Sequence, residues 1–113
     1  MCRLEQNEEF LNGNFARDKM AEIGKRLNER GGNQLNDIRQ IQDSIYQIAS
    51  ELYDEELETA ERKNMGIVSN EEDMRIIEEI SQITSKAMND IASSYPSLQE
   101  IKNNIRTRFL AHK

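Results

Sequence analysis

Ile38, Ile41, Ile45, Ile48 and Leu52 recur at spacings of three, four, three and four, and a helix is the regular backbone that puts all five on one side. A strand would scatter them over both faces. The repeat is that of a heptad seam. Leu35 extends it backward, while Tyr53, Leu57 and Ala60 continue it along a slightly rotated line, as 3.6 residues per turn requires. The spacing predicts a helix from about Asn33 to Asn64. Gly31-Gly32 breaks the chain before it, Asn33 is the candidate N-cap, and Asn64 and Gly66 are the candidate stop residues.

Three further helices follow from the same reasoning. Upstream, Ala16, Met20, Ile23 and Leu27 give an amphipathic helix over residues 14–30, starting after Gly13. The apolar residues before it, Leu4, Phe10 and Leu11, have no clean spacing, so residues 1–12 read as a short helix or a loosely docked arm. Downstream, Ser69 and Glu72 fit a capping box, the serine hydroxyl reaching the Glu72 amide and the Glu72 carboxylate returning to the Ser69 amide. The helix that begins there carries Ile76, Ile77, Ile80, Ile83, Ala87 and Ile91, and ends near Ser93. Pro96, the only proline, keeps Tyr95 out of a helical conformation. Ser97 and Glu100 then open a last helix lined by Leu98, Ile101, Ile105 and Phe109.

No segment alternates apolar and polar residues for more than a few positions, and no internal repeat is detectable. The expected fold is all-α: an antiparallel helical bundle or a long helical hairpin with shorter flanking helices, in one domain over residues 1–113. Hydrophobic residues are 36% of the chain, about 40% with the five glycines added, against roughly 45–50% in ordinary domains. Either the core is thin or some apolar surface is covered on assembly. Seam helices with β-branched core residues self-associate readily, so a homodimer or higher homo-oligomer is expected.

Chemistry is bounded mainly by what the sequence lacks. His112 is the only histidine and lies next to the C-terminal residue, so no serine has a base to activate it. One Cys and one His at opposite ends build no zinc site, and no Glu-x-x-His pair suggests a di-iron centre. Gly31-Gly32 lacks the spacing and the Lys-Ser/Thr signature of a phosphate loop. The acids Asp54, Glu55, Glu56, Glu58 and Glu61 spread around a helix, without calcium-loop spacing and without the burial that would raise one pKa. The chain therefore reads as non-enzymatic, with no cofactor and no metal. Cys2 has no intramolecular disulfide partner, and the first thirty residues contain no apolar run fit for a signal peptide or a membrane span. Both observations point to a reducing, cytoplasmic setting.

Net charge is −6 but unevenly placed: residues 34–70 hold three cations and eight acids, residues 71–97 two and six, and residues 98–113 four and one. An acidic middle and a basic tail argue against general nucleic-acid binding. The expected function is a protein–protein interaction module, a small acidic regulator or inhibitor that docks on a larger protein. A self-assembling scaffold subunit and a nucleic-acid-associated regulator are the alternatives. The candidate partner-binding residues are Ile38, Ile41, Ile45, Ile48, Leu52 and Tyr53 of the seam, with Asp54, Glu55 and Glu58 beside it. Lys102, Arg106 and Arg108 form the candidate basic contact. A surplus of Ile over Leu and many Asn are compatible with an AT-rich genome such as that of a phage or another virus.

Overall fold

Three side-chain caps set where the longer helices begin. Asp37 accepts a hydrogen bond from the Arg39 amide (2.9 Å), Ser69 from the Glu72 amide (3.1 Å) and Ser97 from the Glu100 amide (3.1 Å). The computed structural model describes residues 8–32 and 37–112, which form α1 (Glu8–Leu11), α2 (Asn14–Glu29), α3 (Ile38–Lys63), α4 (Asn70–Ala92) and α5 (Leu98–Ala111). No strand occurs among the described residues, so the fold is all-α as the periodicities predict. No helix among them is long and apolar enough to cross a membrane. Cys2, Leu4, Asn33, Leu35 and Lys113 lie outside the described residues.

Two boundaries differ from expectation. Helix α3 begins at Ile38 under the Asp37 cap, because an aspartate in extended backbone supplies the acceptor that the first turn needs. The Ser69 cap forms as expected, but the Glu72 carboxylate takes Arg75 Nε at 2.8 Å, making an ion pair in place of the return bond to the Ser69 amide.

Successive helices run antiparallel. Lys19 and Arg26 of α2 reach Glu56 and Glu51 of α3, Tyr53 of α3 reaches Asp73 of α4, and Glu78 of α4 reaches Lys102 of α5. Helix α3 packs most extensively on α4, α5 covers both, and α2 lies against both from another side. The extents of 44 × 38 × 24 Å are those of a bundle, and the rod-like hairpin is not formed. The core is dominated by isoleucine: Ile45 and Ile48 of α3, Ile76, Ile77, Ile80 and Ile83 of α4, Ile101 and Ile105 of α5, and Ile23 of α2. Ser50, Ser81 and Thr84 are buried among them, small enough for the helices to approach.

The α3–α4 turn is tight. Met65 (φ 59°) and Gly66 (φ 89°) are both left-handed, and the Gly66 amide returns to the Glu61 carbonyl at 2.6 Å, satisfying one of the last carbonyls of α3. At the end of α4, Ser93 is left-handed (φ 49°), and Asn89 Nδ2 donates to the carbonyls of Ser85 (2.8 Å) and Ser94 (2.9 Å), which fastens the turn before Pro96.

Because Ile45 is wholly buried, Ile45→Asp should abolish the cooperative unfolding transition followed by circular dichroism. Gly24 lies inside α2 with nothing within 4 Å of where a Cβ would stand, so Gly24→Ala should raise stability by about 0.5–1 kcal/mol in urea titration.

Candidate docking surface

Within the chain, the α3 seam is already covered. Ile45, Ile48 and Leu52 are each 0% exposed and Tyr53 is 3% exposed, so these candidate partner-binding residues face α4 and α5 and offer no surface to a second molecule. Ile41 is half-buried against the same core. Only Ile38, in the first turn of α3, is open (53%). Tyr46 and Leu57, which the spacing places off the main stripe, also turn inward, because neighbouring helices cover α3 from more than one side.

The acids of α3 divide by direction. Glu51 receives Arg30 (2.6 Å) and Arg26 (3.2 Å), Glu55 receives Arg26 (2.9 Å) and Glu56 receives Lys19 (2.9 Å), all from α2. Hydrogen bonding to Glu55 holds the Arg26 guanidinium well above its ordinary pKa, against the effect of burial, and Glu22 on the same helix adds to it. Glu58 and Glu61 stay exposed, and Asp54 is half-buried.

The basic residues of α5 turn to the bundle. Lys102 meets Glu78 at 2.6 Å; burial pushes the Glu78 carboxyl up, but Lys102 and Gln82 hold it below the usual carboxylate range. Arg108 pairs with Asp43 and lies 5.6 Å from the Tyr46 ring centre. Arg106 hydrogen-bonds Tyr53, whose hydroxyl donates to Asp73 and whose ring meets Phe109 edge-on at 5.0 Å. The tail therefore fastens α5 to α3 and α4.

A small cleft of about 210 Å³ lies between α3 and the end of α5, lined by Gln47, Ser50, Glu51, Asp54, Phe109 and His112. Its polar groups are tied to one another. His112 Nε2 lies 2.7 Å from Gln47 Nε2, and the Ser50 hydroxyl donates to the Gln47 carbonyl (2.7 Å) instead of to a base. Among the described residues, no three His, Cys, Asp or Glu side chains are grouped to hold a metal ion.

The most exposed large apolar residues cluster at the α3–α4 corner, a place that helical periodicity does not reveal. Met65 is 94% exposed, Ile67 70% and Met74 64%. Ile67 borders a shallow depression of about 620 Å³ with Asn64, Ser69, Glu71, Glu72 and Arg75. The sequence signal available was a pair of large apolar residues, Met65 and Ile67, on either side of a stop glycine, where a turn would carry polar residues.

Fold and surface together describe a small all-α bundle with an acid-bordered apolar corner. No known protein family, curated protein or solved structure matches the chain.

Burial and the neighbouring Asp73 push the Tyr53 hydroxyl up to about 12 from an ordinary 10.0, while Arg106 opposes them. A group whose pKa rises on folding stabilises the fold fully below its unfolded pKa and less as pH climbs toward the folded one. Stability should therefore be lost between pH 10 and about 12, the unfolded chain releasing its proton first. Tyr53→Phe should flatten that alkaline limb, leaving the part due to Tyr46, which burial and Glu100 also raise, and should cost about 1–2 kcal/mol at neutral pH in denaturant titration.

Proposed function

We propose that this chain is a non-enzymatic interaction module that docks on a basic surface of a larger protein through the α3–α4 corner. The observation that carries the reading is the exposure of Met65, Ile67 and Met74 at one end of the bundle, with Glu61, Glu71 and Glu72 in the same stretch of chain. Three large apolar side chains between residues 65 and 74 form an anchor, and the acids beside them favour a cationic rim on the partner. Over residues 54–75 eight carboxylates stand against three cations, and Arg75 is engaged by Glu72 and Glu79. Methionine suits such a role, since its unbranched side chain adapts to a partner's surface.

The backbone supports the same reading. Met65 occupies a left-handed position that glycine would fill with less strain, so a large apolar side chain there has no folding rationale. The scaffold alternative draws on the same seam that Ile45, Ile48 and Leu52 bury within the chain. The nucleic-acid alternative draws on Lys102, Arg106 and Arg108, which are engaged by Glu78, Tyr53 and Asp43.

A photo-crosslinker placed at Met65 tests the proposal. Adducts with a larger, basic protein are expected, and the Met65→Gly, Ile67→Glu double variant should lose that capture while keeping its thermal midpoint. Adducts only between copies of the chain, or unchanged capture by the double variant, would refute it.

A further inference from the structure

Helix α2 is the long helix with the weakest local support. Its N-cap is Gly13, with no side-chain cap bond, and its first turn carries no acid, whereas α3, α4 and α5 each begin under an Asp or Ser cap. Gly24 in its interior weakens it further and meets no packing need, since nothing lies within 4 Å of its missing Cβ. Tertiary contacts hold this helix in place, and they follow one rule.

The buried residues of α2 are Ala16, Ile23 and Leu27, and the cations that reach α3 are Lys19, Arg26 and Arg30. Each cation stands three residues after a buried apolar residue, so every apolar group entering the groove has a positive group one turn further along. The receiving side consists of Glu51, Glu55 and Glu56 on α3, next to the apolar surface that α3 and α4 present together. These ion pairs are only partly buried, and pairs of that kind are individually weak and screened by salt. The groove thus binds a basic amphipathic helix whose own cohesion is low.

We propose that the acid-lined groove of α3 and α4 is a docking site for a basic amphipathic helix of a partner protein bearing this apolar-x-x-basic pattern, with α2 as its resident and displaceable occupant. The groove is distinct from the Met65 corner, so this inference and the proposed function fail or succeed separately. A partner helix that binds the groove competes with α2, and its apparent affinity is reduced by the fraction of chains in which the groove is filled.

The test uses the full chain and, as probe, a fluorescein-labelled synthetic peptide copying residues 13–32, followed by fluorescence anisotropy at low salt. Binding at one peptide per chain is expected. Arg26→Glu in the chain, which loosens the resident helix and leaves the acids in place, should tighten binding about tenfold. Gly24→Ala, which strengthens the resident, should weaken it about three- to fivefold. Glu51→Lys, which also loosens α2 but damages the groove, should abolish binding. Absence of binding to an Arg26→Glu chain that retains its helical circular dichroism overturns the proposal; if that chain does not fold, Arg26→Gln is read in the same way. A solution mass that rises with concentration through exchange of α2 between copies would also overturn it, naming a second copy as the occupant.

Discussion

Burial of the α3 stripe against the isoleucines of α4 is the contact on which the other elements rest. Helix α3 is the longest, at 26 residues, and it packs on α2, α4 and α5. With 36% hydrophobic residues the chain has few apolar side chains to distribute, and the structure directs most of them inward. β-Branched isoleucine suits this arrangement, because its restricted rotamers lose little further freedom when the helices close. One consequence is functional: a stripe committed to three neighbouring helices cannot also serve as an interface.

Charge follows from that packing. Around α3 the acids facing neighbouring helices meet cations from α2 and α5, and those facing solvent form the net negative surface. The pairs on α2 differ in kind from those on α5. On α5, Arg108 and Arg106 reach two buried tyrosines, Tyr46 and Tyr53, and the tyrosine hydroxyl of residue 53 links α3 to α4 through Asp73. On α2 the cations meet carboxylates at the protein surface, in water and exposed to salt. The bundle therefore has a firmly joined part, α3 with α4 and α5, and a more loosely joined α2.

The α3–α4 corner combines two features that folding alone would not select. A methionine occupies a left-handed backbone position, and it stands almost fully in solvent with Ile67 and Met74 nearby in the chain. The apolar surface that a partner would cover is thus separate from the apolar surface that holds the fold together. Such a separation lets binding residues change without disturbing the core.

The sequence by itself determined the helices, because a three-four spacing of isoleucines admits one regular backbone and because the Ser69 and Ser97 hydroxyls mark their own helix starts. It also determined which residues are chemically able to act. It did not determine which side of α3 faces what: Ile38 and Ile91 fit the apolar stripes yet stand exposed at 53% and 42%, while Tyr46 and Tyr53 lie off the main line and are buried. Periodicity reports the face of one helix, whereas burial depends on how many helices surround it and where each one ends. The partners of Lys102, Arg106 and Arg108 were likewise decided only by the tertiary structure, since a cation near a helix end satisfies the dipole in any fold, and only packing brings Glu78, Tyr53 and Asp43 within its reach.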